Sequence, residues 1–245
     1  MALETGGVIN VMKRYELKYL PDRGQTAGLI RSLEGHMEPD RYGLTTIASV
    51  YYDTPDDRLV RASLEKPEFK EKLRLRSYGP ATQESPVFLE LKRKASGIVY
   101  KRRVQTTLPE AERFFAGENG LFEDRQIRQE LNWFRDAYRP LRPACLVIYD
   151  RIAYFEPGGD LRLTIDFNPR YRTEAMDLTG SMDGIPLRPD GSAILEIKVQ
   201  EALPLWLAAI LDRLHIYKSS FSKYGEAYCR EAAARTAYQA FRIAG

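Results

Sequence analysis

Three strand-like segments of this sequence each place a glutamate and a lysine on either side of one apolar residue. They read Glu-Leu-Lys at 16–18, Glu-Leu-Lys at 90–92 and Glu-Ile-Lys at 196–198. In a strand, side chains i and i+2 lie on one face and side chain i+1 on the other. Each segment therefore has a charged face and an apolar face, and the fold must cover the apolar faces.

Further segments alternate in the same way. Leu-Arg-Leu-Arg occupies 73–76, Lys101 and Arg103 flank one residue, and Arg162, Thr164 and Asp166 alternate with apolar residues. If the sheet closes with these faces inward, it forms a tunnel lined by lysines, arginines and a few carboxylates. Alternation does not tell which face meets solvent, so a sheet with its charged face outside is the alternative.

Length and charge limit the possible classes. All-β barrels reach 245 residues as one unit, and no linker or composition shift divides the chain, so we expect a single domain over 1–245. The net charge of +3 excludes a generally basic nucleic-acid coat. Between residues 66 and 103, however, there are eleven Lys or Arg and four Asp or Glu, which favours an anionic partner at one site.

Other classes of site are not expected. The two cysteines, Cys145 and Cys229, and the two histidines, His36 and His215, lack metal-ligand spacing, so neither a disulfide framework nor a zinc site is predicted. No apolar run approaches about 18 residues and no signal-peptide core is present, which predicts a soluble, cytoplasmic protein without a membrane span. Nucleic acid is not expected as a partner, because the basic runs lack interleaved aromatic residues for base stacking.

The predicted elements form an α+β protein. A first helix begins at Pro21-Asp22 and runs to Leu33, and Asp53 is interpreted as the cap of a short helix through Leu64. The strands at 70–78, 87–94 and 98–107 form a meander, which is typical of an antiparallel barrel. Other strands are predicted at 12–20, 47–52, 144–155, 161–167 and 193–199, and other helices at 109–115, 124–138, 203–214 and 221–241.

Several motifs, in this order, resemble the VTC domain. This is the polyphosphate polymerase domain of the vacuolar transporter chaperone complex, within the triphosphate tunnel metalloenzyme superfamily. The motifs are Lys-Arg-Tyr-Glu-Leu-Lys-Tyr at 13–19, Val-Tyr-Tyr-Asp-Thr-Pro at 50–55, Leu-Arg-Leu-Arg-Ser-Tyr-Gly at 73–79, Leu-Glu-Leu-Lys at 89–92, Tyr-Asp-Arg at 149–151, Leu-Glu-Ile-Lys at 195–198 and Phe-Ser-Lys-Tyr at 221–224.

The resemblance implies an antiparallel β-barrel tunnel with a polar interior, flanking helices, and a glutamate that holds Mn²⁺ or Mg²⁺. It implies ATP or another triphosphate and inorganic polyphosphate as ligands. Carried over by position, the metal residue is Glu196. The residues implied to be catalytic, besides Glu196, are Lys18, Arg74, Arg76 and Lys92. The implied phosphate-binding residues are Lys18, Arg74, Arg76, Lys92, Lys101, Arg151, Arg162 and Lys223, with Lys198 and Lys218 matching less closely.

The implied activity is a metal-dependent polyphosphate polymerase that transfers the γ-phosphoryl group of ATP. A metal-dependent triphosphatase and a non-catalytic polyphosphate-binding module are the alternatives. The chemistry fits the residue types, because phosphoryl transfer needs positioning and charge neutralisation more than a covalent partner. Arginine offers a planar fork to phosphate oxygens, and lysine a movable point charge.

Some residues keep two interpretations. Glu16 and Glu90 either pair with neighbouring bases or bind metal or water, Asp166 is a salt-bridge partner or a second metal contact, and for Glu196 the metal role is favoured. On the opposite face we predict a solvated edge, containing Arg93, Lys94 and Arg102. Tyr15, Tyr51, Tyr149 and Phe167 are predicted to pack the outside of the barrel against helices.

Overall fold

The computed structural model describes residues 15–65, 67–96, 98–119 and 124–244, with side chains described as far as 237. The first three residues of the strand predicted at 12–20, and Gly97 between the strands predicted at 87–94 and 98–107, lie outside these residues. In the described part, the elements are β1 (Tyr15–Tyr19), α1 (Arg23–Ser32), β2 (Glu38–Pro39), β3 (Thr45–Asp53), α2 (Arg58–Glu65), β4 (Phe69–Tyr78), β5 (Val87–Ala95), β6 (Ile98–Thr106), α3 (Leu108–Ala116), α4 (Arg125–Ala137), β7 (Arg142–Phe155), β8 (Arg162–Arg172), β9 (Ile185–Pro186), β10 (Ile194–Val199), α5 (Leu205–Arg213), β11 (Lys218–Ser219) and α6 (Lys223–Ala244).

All the strands belong to one antiparallel sheet. Its path is β11-β1-β10-β8-β7-β3-β4-β5-β6, with β2 paired to β7 and β9 paired to β8. Within the described ranges β6 and β11 do not pair, so the backbone ladder is open. Lys92 Nζ of β5 nevertheless lies 3.3 Å from Glu16 Oε2 of β1, near the other end of the path. The sheet therefore curls until its ends approach, and its concave side encloses a tunnel.

Helices cover the convex side of the sheet in two places. Helices α1 and α5 pack on the apolar faces of β1, β8 and β10, where Leu163, Leu195 and Ile197 are fully buried. Helices α3 and α4 pack on β4 and β5, where Leu73 and Leu89 are fully buried. Each such side chain contributes about 1.5–3 kcal/mol when buried, whereas an exposed ion pair contributes about 0–1 kcal/mol. Covering the apolar faces with helices thus directs the charged faces inward.

Part of the concave side is also apolar, and α6 covers it. Tyr224 of α6 stacks on Tyr51 of β3 with ring centroids 4.7 Å apart. Val147 and Tyr149 of β7 belong to the same buried cluster. The C-terminal helix therefore lies against the inner wall of the curled sheet, and its first turn adjoins the charged region.

Asp53 joins three elements at one end of this wall. Its carboxylate is fully buried and accepts hydrogen bonds from the backbone N–H groups of Leu59 (2.8 Å) and Val60 (2.9 Å) at the start of α2. It also accepts one from the hydroxyl of Tyr224 at 2.7 Å. Asp53 is therefore the helix cap that the sequence predicts, and it additionally anchors α6 to β3.

The predicted long elements are present with shifts of a few residues at their ends. The largest difference is β8, which extends to Arg172. The short strands β2, β9 and β11 were not predicted, because two residues carry no readable alternation. In the described part of the chain, no helix is both long enough and apolar enough to cross a membrane.

Candidate functional site

The tunnel face is the polar part of the concave side of the sheet. Strand alternation places its residues on β1, β4, β5, β6, β7, β8 and β10, and α6 adds one more from its first turn. Its carboxylates are Glu16, Glu90, Asp166 and Glu196. Its cations outnumber them: Lys18, Lys72, Arg74, Arg76, Lys92, Lys101, Arg103, Arg151, Lys198 and Lys223.

Glu90 lies at the centre of one cationic group on this face. Arg74 Nε and Nη2 both lie 2.7 Å from Glu90 Oε2, and Lys101 Nζ lies 2.9 Å from Oε1. Arg76 and Arg103 each approach to 3.7 Å. The Glu90 side chain is 2% exposed, and burial alone would raise its pKa, but Arg74, Arg76 and Lys101 hold that pKa well below its usual range. Glu90 thus serves as the counter-charge of four bases, and its Oε1, which accepts no hydrogen bond within the described residues, is within ion-pair distance of Lys101 and Arg103.

Asp166 has the same role in a second group. It is fully buried and binds Arg151 through two contacts, Nε to Oδ1 at 2.5 Å and Nη2 to Oδ2 at 2.8 Å. Lys223 Nζ lies 2.5 Å from Oδ2. Burial alone would raise the pKa of Asp166, but Lys223 and Arg151 lower it. Of the two interpretations left open for Asp166, the geometry favours the salt-bridge partner.

Glu16 and Glu196 form the third group, on the paired strands β1 and β10. On the tunnel side Glu16 lies opposite Lys198 and Glu196 lies opposite Lys18, so the two glutamates are diagonal neighbours on one face. Burial alone would raise the pKa of Glu16, but the positive charges of Lys92, Lys18 and Lys198 lower it. The contacts of Glu196 with bases are long, 4.0 Å to Arg151 and 3.7 Å to Lys198. These two carboxylates are therefore less fully neutralised than Glu90 and Asp166.

This third group has the donors that a hard divalent cation prefers. Mg²⁺ is commonly held by one or two carboxylates together with substrate phosphates and water. The strand position beside Glu196 holds Thr164, whose buried Oγ1 has no hydrogen-bond partner within the described residues. Those residues contain no cluster of three or more His, Cys, Asp or Glu, so protein side chains do not enclose a metal completely. Glu196, Glu16 and an oxygen-only donor set fit Mn²⁺ or Mg²⁺ that shares its ligands with phosphate.

Two tyrosines lie on the tunnel face, so the prediction that they pack outside the barrel was wrong. The hydroxyl of Tyr51 accepts a hydrogen bond from Arg74 Nη1 at 3.0 Å, and that of Tyr149 accepts one from Arg76 Nη2 at 3.1 Å. Burial alone would raise the pKa of Tyr51, but Arg74 and its cationic neighbours lower it to about 8. The prediction assumed that helices pack only on the outside of the barrel. Helix α6 packs on the inner wall, so aromatic residues that contact a helix also occur there. Of the others, Phe167 packs on the outer cluster as predicted, and Tyr15 is exposed.

The remaining sequence candidates are not all in the tunnel. Arg162 occupies a tunnel-side strand position but turns to the backbone oxygens of Gly159 and Leu161. Lys218 pairs with Tyr19, which puts it on the outer side of the sheet. Lys94 is two residues from Lys92 and therefore shares its face, contrary to the prediction.

The outer-face arginines are ordered under α4. Arg93 and Arg102 both bind Glu130, and Arg93 also binds the buried Glu71. They hold a helix to the sheet, so the predicted solvated edge is a packed interface at these two positions. Lys72 and Arg103 are the tunnel-face cations that the candidate list lacked. Their signal was available, because they extend the alternations of Arg74 and Lys101 by one step.

The fold recurs in known structures. A proposed adenylate cyclase from Bacillus halodurans superposes with a TM-score of 0.54 and 18% identity, covering 86% of this chain and 96% of that chain. A proposed adenylyl cyclase from Hippeastrum, for which a dominant triphosphatase activity is described, superposes with a TM-score of 0.50 and 16% identity, covering 85% and 92%.

Sequence comparison identifies the family. No curated protein matches the chain. The family model of the VTC domain matches residues 13–231, which include every group on the tunnel face. The matched span covers most of the chain and contains the inward bases. The chain therefore belongs to the VTC domain family.

Proposed function

We propose that this protein transfers the γ-phosphoryl group of ATP onto a polyphosphate chain bound along the tunnel face. The observation that carries the proposal is the excess of buried and half-buried bases over carboxylates on one enclosed surface. Such an excess is unfavourable without an anion and complementary to a row of phosphate groups. The bases lie on several strands, so successive phosphates of one chain can each meet a different base.

Each group on the face has a role in this reaction. Arg74 and Arg76, whose guanidinium groups are held by Tyr51 and Tyr149, bind the non-bridging oxygens of the transferred group. Lys101 adds a point charge and exchanges its contact with Glu90 for one with phosphate. Positioning of donor and acceptor in line, with charge neutralised around them, accounts for most of the catalysis expected in phosphoryl transfer.

Glu196 and Glu16 would hold the divalent metal. A bound Mn²⁺ or Mg²⁺ would neutralise charge on the phosphate oxygens and polarise the transferred group. Lys92, Lys18 and Lys198 lower the pKa of Glu16, so this carboxylate stays ionised although burial alone would favour its neutral form. This fits a site that retains anionic ligands although it is partly buried.

Hydrolysis is the alternative reaction at the same site. It differs only in the acceptor, which is water instead of the terminal phosphate of a chain. The Hippeastrum protein of the same fold is described as a triphosphatase, which makes this the second candidate.

Products distinguish the candidates. We would incubate the purified chain with ATP and Mn²⁺ or Mg²⁺, resolve polyphosphate on a gel, and measure free phosphate in parallel. A ladder of polyphosphate supports the polymerase, and free phosphate without a ladder would replace it with the triphosphatase. Unchanged ATP together with polyphosphate binding would leave a binding module.

A matched pair of variants places the chemistry. Glu196→Gln changes the tunnel face, and Glu130→Gln makes the same chemical change in α4, where Glu130 binds Arg93 and Arg102 on the outer side of the sheet. Only the first should abolish turnover. Equal losses of turnover in both variants would show that the loss comes from destabilisation of the fold.

A further inference from the structure

Each of the other tunnel-face cations named above forms an ion pair with a carboxylate, whereas Lys72 has no carboxylate partner within the described residues. It lies on β4 two residues before Arg74 and directly opposite Lys92 of β5. Arg74 and Lys92 bind Glu90 and Glu16, whereas the side-chain contact of the Lys72 ammonium is Ser222 Oγ at 3.1 Å. Within the described residues no carboxylate lies in ion-pair distance of Lys72. Its charge is therefore left uncompensated by the protein.

The surroundings of Lys72 disfavour its charged form. The pKa of Lys72 is lowered to about 8, mainly by burial. Like-charge repulsion from Lys18, Lys92 and Lys70 lowers it further, whereas Tyr51 raises it. These groups face it from β1, β3, β4 and β5, and the residue before α6, Ser222, faces it with a neutral hydroxyl. An ammonium in such a position is stabilised only when an anion arrives.

Ser222 prepares the same place for an anion. Its Oγ accepts hydrogen bonds from Lys72 Nζ and from the backbone N–H of Gly225 at 3.2 Å. A hydroxyl has two acceptor positions and one donor hydrogen, so both acceptor positions are used. In the described part of the chain this hydroxyl donates no hydrogen bond. Its hydrogen can therefore be donated to an oxygen bound beside the Lys72 ammonium.

We propose that Lys72, with the hydroxyl of Ser222 beside it, is a further phosphate-binding residue whose ammonium meets a counter-charge only when the anionic ligand binds. The inference rests on the proposed function, since it takes the ligand to be a triphosphate or polyphosphate. Ligand binding in the tunnel is then coupled to proton uptake by the Lys72 amine. Lys72 then binds phosphate through charge that the ligand itself induces.

The sign of the coupling follows from linkage. A bound phosphate favours the ammonium, so the pKa of Lys72 is higher in the complex than in the free protein, and binding takes up protons near pH 8. Below pH 7 the amine is already charged and uptake vanishes. Above pH 8 each pH unit weakens binding by about tenfold, until the pKa of the complex is reached.

Calorimetry with tripolyphosphate in the presence of a metal chelator tests the proposal. Titrations at pH 8 in two buffers of different protonation enthalpy give the number of protons taken up per ligand. Wild type should exceed Lys72→Met by about half a proton, because half of the Lys72 amines are neutral when the pH equals the pKa. Protonation changes of tripolyphosphate itself are common to both proteins and cancel in the difference.

Three further variants assign the effect. Lys72→Arg, always charged, should bind without the extra uptake. Tyr51→Phe should retain the uptake, because the titrating phenol is removed and the amine remains. Lys94→Met removes an exposed lysine from the same face and should match wild type.

Thermal unfolding without ligand separates binding from a structural role. Removing an uncompensated cation should leave the melting temperature of Lys72→Met equal to or above that of wild type, whereas a structural lysine would lower it. Equal affinity and proton uptake in wild type and Lys72→Met would overturn the inference alone. No binding of tripolyphosphate by wild type would overturn the proposed function with it. If Lys72→Met does not fold, proton uptake by Lys72→Arg equal to that of wild type would overturn the inference.

Discussion

Replacing Glu90 with glutamine should weaken the free protein and make its stability dependent on phosphate. The change keeps the shape of the side chain and removes the charge that faces Arg74, Arg76, Lys101 and Arg103. Removing one partner of a buried ion pair costs about 3–5 kcal/mol. The side chains of Lys101 and Arg103 are 48% and 35% exposed, so water screens part of the repulsion and we expect about 2–3 kcal/mol.

That loss corresponds to a fall in melting temperature of roughly 5–10 °C for a chain of this size. Tripolyphosphate should reverse it, because the ligand replaces the missing carboxylate as counter-charge. Ligand at about 100 times its Kd stabilises a protein by about 2.7 kcal/mol, and the variant should gain more than wild type at equal ligand concentration. The assay is thermal unfolding with and without tripolyphosphate.

The control is Glu130→Gln, which removes a carboxylate from Arg93 and Arg102 on the outer face. It should lose stability without any extra rescue by phosphate. A Glu90→Gln protein that melts with wild type, or one that phosphate rescues no better than the control, would refute the view that Glu90 is the counter-charge of a phosphate site.

Acid provides an independent check on Glu90. Its pKa in the folded protein is lowered from the ordinary value of 4.5, so its contribution to stability is complete above that value and is lost as pH falls toward the folded pKa. The stability difference between wild type and Glu90→Gln should therefore be constant from pH 7 to about pH 5 and shrink below pH 4.5. A difference that grows in acid would contradict the assignment.

Three further outcomes are expected. Glu196→Gln should lower turnover with ATP and Mn²⁺ by orders of magnitude and leave polyphosphate affinity, measured by calorimetry, intact. The reason is that the metal stabilises mainly the transition state. Unchanged turnover would place the metal elsewhere. Joint replacement of Arg74 and Arg76 by alanine should weaken the binding of ATP and polyphosphate and make that binding less dependent on salt. An unchanged slope of log Kd against log salt would show that neither arginine belongs to the site. Tyr224→Phe should lower the free energy of unfolding in urea by about 1.5–3 kcal/mol, because it removes the hydroxyl donor to the buried Asp53, and a loss below about 0.5 kcal/mol would show that this bond is replaced by water.

The local structure was largely predictable from sequence. Alternation identifies the long strands, and Asp53 ahead of α2 is a readable cap because its side chain bonds nearby backbone N–H groups. Alternation is symmetric, however, and both faces of a strand fit the same pattern. The choice of the inner face depends on contacts far apart in sequence, such as Lys92 with Glu16, which no local window contains.

The roles of the carboxylates illustrate the same limit. Glu90 and Glu196 occur in nearly identical tripeptides, yet Glu90 is held by several close bases and Glu196 only by distant ones. The difference comes from the neighbouring strands: β4 and β6 place Arg74 and Arg103 opposite Glu90, whereas β1 and β8 place Lys18 and Thr164 opposite Glu196. Pairing partners decide the chemistry of each glutamate, and the motif alone does not contain them.

The unpaired edge of β6 has a consequence for solubility. A terminal strand offers free backbone N–H and C=O groups to any other extended chain, and charged side chains are a common defence against such pairing. Lys101, Arg102 and Arg103 are consecutive on β6, so both faces of this edge carry positive charge that repels a second copy. Two of these residues also face the tunnel. Neutralising them together would remove ligand contacts and edge protection at once, so variants at these positions are expected to self-associate as well as to bind less.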